Sequence, residues 1–361
     1  MSKSLDDLSA LLASAIGGND ENQGVTNWIS TGYEPLNDIM SDDSANGLPQ
    51  GRLIEMFGPS SSGKTLLATM MMIEAQRAGG IAGFFDHERS FALPLAKNLG
   101  LNDTKGWIYK QPKTWEESNM MMAKAAKVIR DNKVIPPDAP ILFVFDSIAA
   151  AIPKSMISKE MDELSMNDTT ALARVTSTTL KMIASHAEEY NFTVLYLNQI
   201  RTKPGVVYGD PTTTPGGGAM EFYASIRIAL GRKKLFEEKD GEKVFVGQEI
   251  TMKATKNKVA RPFRECKLRM MYDANGVAYF DVTGSLLDYA IDAKKVASAG
   301  ARVTWVDGKS YYRKALIKMI NETGQLPILK GLLAGVDIDS LKPETKSADK
   351  PTSAEPVELM D

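Results

Sequence analysis

Residues 51–75 read GRLIEMFGPSSSGKTLLATMMMIEA. An apolar run leads into a glycine-rich turn, and the turn into a stretch with helical spacing. Gly58-Pro59-Ser60-Ser61-Ser62-Gly63-Lys64-Thr65 fits the pattern G-x-x-x-x-G-K-[ST], in the strand–turn–helix context that the pattern requires. Glycines let the backbone curl so that successive amides face phosphate oxygens, and the helix start adds its positive dipole end. The predicted nucleotide cradle therefore runs from Gly58 to Leu66. Lys64 reaches the β- and γ-phosphates of ATP, and the Thr65 hydroxyl coordinates Mg²⁺.

Working outward, ILFVF at 141–145 ends on Asp146, an acid at the tip of a second apolar run. Paired with the phosphate turn, Asp146 is the expected magnesium-side carboxylate. IAGFF at 81–85 ends on Asp86-His87-Glu88. In a parallel sheet that tip opens on the same crevice. Glu88 is the candidate catalytic carboxylate and Asp86 a supporting one; a solvated turn is the alternative for the pair. His87 reads as structural, and His186 receives no role.

Further apolar runs at 52–57 and 193–197 alternate with helical patterns at 64–78, 116–131 and 169–189. Such alternation predicts an α/β fold with a mainly parallel, twisted sheet. After residue 225 the pattern changes to SIRIAL, EITMKAT and ECKLRMMY, read as strands separated by charged turns. A short amphipathic helix is expected at 4–16 and a small α+β unit at about 283–335. PETKSADKPTSAEPVELMD at the end lacks an apolar period and is expected to be disordered. The predicted division is 1–28, an N-terminal helix and linker; 29–282, the core; 283–338, the small C-terminal domain; and 339–361, the tail.

Composition narrows the classes. The chain of 361 residues is 43% hydrophobic and 24% charged, as expected of a soluble protein with a sizeable core. The absence of a long apolar run argues against a membrane span, and one cysteine, Cys266, fits a reducing cytoplasmic setting. A net charge of −2 leaves any DNA surface to a local basic patch. The methionine runs Met70–Met72 and Met120–Met122 read as packing.

Several blocks, in order, resemble the RecA family of bacterial and phage recombinases: ISTG (29–32), GLPQGRLIEMFGPSSSGKT (47–65), FFDHE (84–88), FVFDSIAAAIPK (143–154), NQIRTKPGVVYGDPTTTPGGGAMEFYASIR (198–227) and KNKVARPF (256–263). Many ATPases share a phosphate turn, and few share the NQIR block. The resemblance implies a RecA-type P-loop ATPase core, with a short N-terminal helix that docks on the adjacent subunit and a small α+β C-terminal domain. It implies an ATP-dependent recombinase that polymerises on single-stranded DNA, pairs it with homologous double-stranded DNA and hydrolyses ATP when DNA is bound. The segment after NQIR corresponds to a DNA-binding loop. Arg201, Lys203, Gly205, Tyr208, Thr213, Thr214 and Gly216–Gly218 (Gly216, Gly217, Gly218) are its candidate contacts, with Arg227 adding positive charge. Arg174 flanks a first DNA loop near 155–168. Gln199 matches the residue that senses the γ-phosphate. Lys256 and Lys258 match a pair that reaches a neighbour's ATP, and Lys-x-Lys on a strand puts both on one face.

The chain also departs from the family. Ala92 and Leu95 stand where an aspartate and a tyrosine hold adenine, which leaves Tyr272 as the candidate base contact and predicts looser base selectivity. Glu221 replaces a common lysine, and SDDSAN at 41–46 resembles an insertion. Two other readings are weighed: a ring-forming motor sharing the same ATPase parts, and a DNA-binding or regulatory module that keeps the pocket only as structure. The NQIR block and N-terminal helix favour the filament over the ring; the retained Lys64, Thr65, Glu88 and Asp146 disfavour the inert module.

Overall fold

The computed structural model describes residues 14, 24–157, 159–160, 170–202 and 212–336. The chain divides into two compact units, one running to Ser285 and the other from Leu286.

The first unit is built on a nine-stranded sheet. In chain order the strands are β1 (Leu53–Gly58), β2 (Ile81–Asp86), β3 (Trp107–Lys110), β4 (Ile141–Asp146), β5 (Thr193–Gln199), β6 (Ile226–Lys239), β7 (Glu242–Asn257), β8 (Glu265–Tyr272) and β9 (Ala278–Asp281). Their order across the sheet is β9-β8-β7-β6-β1-β5-β4-β2-β3. From β6 to β3 every pair is parallel, whereas β7, β8 and β9 add on antiparallel. The α/β fold is the one the sequence predicts.

Helices α1 (Lys64–Arg77), α2 (Trp115–Asp131) and α3 (Ala171–Glu189) carry the chain between parallel strands. Each residue of β2 and β4 is buried, which is why both read as unbroken apolar runs. Helix α2 starts where Thr114 accepts a hydrogen bond from the Glu117 amide at 3.0 Å, and the Glu117 carboxylate reaches back to the Lys113 amide at 2.7 Å. That helix buries Trp115 against Phe145 and Tyr196, with ring centroids 5.0 and 5.7 Å away. The Tyr196 hydroxyl donates to Asn119 Oδ1 at 2.6 Å, which satisfies that phenol, whereas the buried Trp115 indole N–H has no hydrogen-bond partner among the described residues. Gly83 makes room for the core: a Cβ there would stand 2.6 Å from the Phe143 ring. Met71, Met72 and Met122 are buried, while Met120 is exposed.

One sequence expectation is corrected here. β6 and β7 do not stop at SIRIAL and EITMKAT but form one long hairpin, paired from Ile226–Asn257 out to Lys239–Glu242. Its turn is Asp240-Gly241, both at positive φ (53° and 80°), the backbone that a tight two-residue hairpin needs. The charged stretch read as a turn is therefore strand: its side chains are exposed on both faces, so no apolar alternation marks it. A helix at Glu34–Ser41, unread in the sequence, buries Leu36, Ile39 and Met40.

The second unit contains a three-stranded antiparallel sheet and the helices Arg313–Glu322 and Leu326–Ala334. Trp305 is buried within it, and its indole N–H donates to Gln325 at 2.7 Å. Apart from residue 14, the expected helix at 4–16 lies outside the described residues, as does the tail at 339–361. Among the described residues no helix is long and apolar enough to cross a membrane.

Candidate functional site

The turn between β1 and α1 is shaped by two glycines. Gly58 lies against β6, where a Cβ would come within 2.8 Å of Leu230. Gly63 has φ 84°, and a Cβ there would meet Ile250 at 2.7 Å. No side chain caps the start of α1, so the helix end faces the cavity with its backbone alone. From β7, the Gln248 side chain donates to the Ser61 carbonyl at 2.8 Å and pins the turn.

A cavity of about 390 Å³ opens over this turn, lined by Ser60–Leu66 together with Glu88, Asp146, Gln199, Met270 and Tyr272. Parallel pairing explains the convergence: β1, β2, β4 and β5 all end on the same edge of the sheet. Lys64 Nζ donates to the Gly58 and Pro59 carbonyls at 3.2 and 2.8 Å, folded back on its own turn. Burial lowers its pKa, and the nearby Asp146 and Glu88 oppose that shift.

The Thr65 hydroxyl donates to Asp146 Oδ2 at 2.9 Å. Asp146 is buried, and desolvation, followed by repulsion from Glu88, pushes its carboxyl up to about 7. A buried carboxylate beside a second acid, with a hydroxyl as hydrogen-bond donor, fits a hard divalent cation, which takes oxygen ligands. Glu88 accepts from Gln199 Nε2 at 3.2 Å and from the Ser147 hydroxyl. The pair Asp86 and Glu88 do not share one environment. Asp86 does not line the cavity and accepts from the Tyr109 hydroxyl at 2.9 Å and the Phe91 amide at 3.1 Å, so it braces the strand end. His87 stacks on Phe145 at 4.5 Å and bonds Ser118 Oγ at 2.6 Å, and burial lowers its pKa to about 4.

Tyr272 reaches the cavity from the tip of β8. Neither Ala92 nor Leu95 lines it; both lie around the short helix Leu93–Asn98. Lys256 and Lys258 converge, though not by strand alternation: β7 ends at Asn257, so Lys258 lies one residue beyond the pleat. Both Nζ atoms donate to the Phe222 carbonyl at 3.0 Å. Burial and the neighbouring Lys258 and Arg227 charges lower the Lys256 pKa to about 8.

The loop segment is less gathered. Arg201 and Thr202 pair with Thr213 and Thr212 in a small antiparallel ribbon, and Arg201 is exposed. Thr214 is buried, its hydroxyl 3.4 Å from Arg227 Nη2, so it faces inward rather than toward a ligand. Gly216 and Gly217 both have positive φ (92° and 72°), and a Cβ there would stand 3.2 Å from Ile148 and 3.1 Å from Ala173, so both positions favour glycine. Gly218 precedes the short helix α4 (Ala219–Tyr223). Arg174 is exposed on α3. Lys203, Gly205 and Tyr208, with most of 155–168, lie outside the described residues. Arg227 does not offer a spare charge: Glu55 and Glu221 hold its guanidinium at 2.6 and 3.3 Å.

Ser147, Gln248, Asn198 and Glu55 were not read from the sequence as site residues. For Glu55 a signal existed: an acid in the middle of a buried apolar strand demands a partner.

A strand-end phosphate turn, a facing acid at the tip of β4 and a carboxylate beyond β2 define a P-loop fold of the α/β class. A family model, the RecA N-terminal domain, matches residues 13–278. The chain is 33% identical over 356 residues to Protein RecA of Leptospira biflexa serovar Patoc, covering 94% of this chain and 86% of that protein. It is 37% identical over 284 residues to Protein RecA of Leptospira meyeri (79% and 67% covered) and 38% over 255 residues to Protein RecA of Geobacter metallireducens (71% and 69% covered). The chain belongs to the RecA family.

Proposed function

We propose that this chain is a DNA-dependent ATPase that acts in recombination and repair, polymerising on single-stranded DNA and pairing it with a homologous duplex. The observation that carries the reading is Gln199. It lines the nucleotide cavity, bonds Glu88 at 3.2 Å, and stands at the root of the Gly- and Thr-rich loop. One residue thus belongs both to the hydrolytic site and to the segment proposed to hold DNA.

In this reading the Ser60–Leu66 amides and Lys64 bind the phosphates. Thr65 and Asp146 would hold a magnesium ion, whose charge offsets that on the phosphate oxygens. Glu88 orients the attacking water and takes its proton, and the Ser147 and Gln199 hydrogen bonds fix which carboxylate oxygen faces it. Tyr272 packs against the base. Lys256 and Lys258, joined to α4 through the Phe222 carbonyl, act on a neighbouring subunit's ATP.

The test is ATP turnover with and without single-stranded DNA, for the parent chain and for Lys64→Ala. The parent is expected to be stimulated by DNA. The variant loses roughly 10²- to 10³-fold or more, since the phosphates lose their only strong cation from the turn. Turnover in the variant close to that of the parent would overturn the site, and a parent indifferent to DNA would overturn the function.

A further inference from the structure

Glu55 is a fully buried carboxylate in the middle of β1, three residues ahead of the phosphate turn, and the ATPase site does not use it. Burying a charge is tolerated only with close partners, and removing one partner strands the other. Glu55 has two. Its Oε2 accepts from Arg227 Nε at 2.6 Å, and its Oε1 accepts from Asn198 Nδ2 at 2.8 Å.

What those partners hold in turn makes the pair more than core filling. Asn198 is the penultimate residue of β5. The same Nδ2 donates to the Pro215 carbonyl at 3.0 Å, and its Oδ1 accepts the Gln199 amide at 2.9 Å. Arg227 lies over the Phe57 ring at 4.7 Å, contacts Thr214 Oγ1 and forms an ion pair with Glu221 of α4 at 3.3 Å. Residues 198–199 are where the loop leaves the sheet, and residues 214–215 are where it returns. One carboxylate on the phosphate-turn strand therefore ties down both ends.

We infer that Glu55 is a positioning residue: with Arg227 and Asn198 it clamps both ends of the 200–215 segment to β1 and so sets Gln199 against Glu88. Its effect on turnover rests on the ATPase reading above, and the clamp itself does not. Both ends of the segment, at 198–199 and at 214–215, are thereby tied to one strand.

Two measurements on the full chain separate these layers, using Glu55→Gln and Arg227→Lys, with Glu221→Gln as the arm that leaves the Glu55–Arg227 pair whole. Hydrogen exchange of the nucleotide-free chain needs no activity. Amides at Gln199 and Thr212–Thr214 are expected to exchange roughly tenfold faster in the first two variants, with α1 unchanged. Exchange equal to the parent in both variants overturns the clamp. If Glu55→Gln does not fold, Arg227→Lys decides alone. In DNA-stimulated turnover, kcat is expected to fall roughly tenfold with KM for ATP within about threefold, and Glu221→Gln to match the parent. Parent-like kcat despite faster exchange overturns the positioning role. A parent without DNA stimulation refutes the functional reading, and the clamp is then judged by exchange.

Discussion

Two buried acids stand on nearby strands of one sheet, and they are handled in opposite ways. Glu55, inside β1, is met by a guanidinium and an amide. Asp146, at the tip of β4, has the Thr65 hydroxyl and a neighbouring carboxylate, Glu88, and its pKa rises to about 7. A charge that serves architecture is satisfied within the chain. A charge left in tension at the mouth of a cavity is waiting for something the chain does not supply, which is why perturbed acids gather at working sites.

The sharpest way to break this contrast is Asp146→Asn. DNA-stimulated turnover is expected to fall by about 10²-fold or more. The unfolding free energy of the nucleotide-free chain, from denaturant titration, should hold or rise, because a buried and repelled charge is gone. A loss of stability of several kcal/mol, of the kind that breaking a buried ion pair produces (about 3–5 kcal/mol), would make Asp146 an architectural residue like Glu55.

A second test asks whether Lys256 and Lys258 belong with the satisfied or the waiting charges. In the single chain both rest on the Phe222 carbonyl. Lys256→Ala with Lys258→Ala should lower DNA-stimulated turnover roughly 10- to 100-fold while nucleotide binding persists. Mixing this variant with Lys64→Ala should restore part of the activity at mixed interfaces. Absence of rescue at every ratio, with both variants polymerising, would return the lysines to an architectural role.

The smallest expected effect belongs to His87, a half-buried group whose neutral form is satisfied by Ser118. Its pKa in the fold is about 4, below the ordinary 6.5, with burial the main cause. The unfolded chain then binds the proton first, so stability is full above about pH 6.5 and falls as the solution is acidified toward pH 4. The loss from this residue is about 2–3 kcal/mol. His87→Gln should flatten that limb of a pH–stability curve measured by denaturant; an unchanged limb would show that other groups cause it.

Much of the fold was legible because its signals are local. An apolar run ending on an acid reads as a buried parallel strand, and GPSSSGKT carries its own geometry in two glycines, a lysine and a threonine. Hence β1, β2, β4 and β5, α1 to α3, and the residues Lys64, Thr65, Glu88 and Asp146 could be placed from sequence by type and position. The hairpin extension of β6 and β7 could not, because strands exposed on both faces lose the alternation that marks them. The inward turn of Thr214 and the neutralised charge of Arg227 were equally hidden.

The amino-acid sequence by itself determined the chemistry available, since phosphate binding, metal ligation and proton transfer depend on residue types at short spacing. The tertiary structure alone decided which charges are spent. Arg227 and Glu55 lie 172 positions apart and find each other only because β6 pairs with β1. Such pairing is a long-range consequence of sheet order, and no window of the sequence contains it.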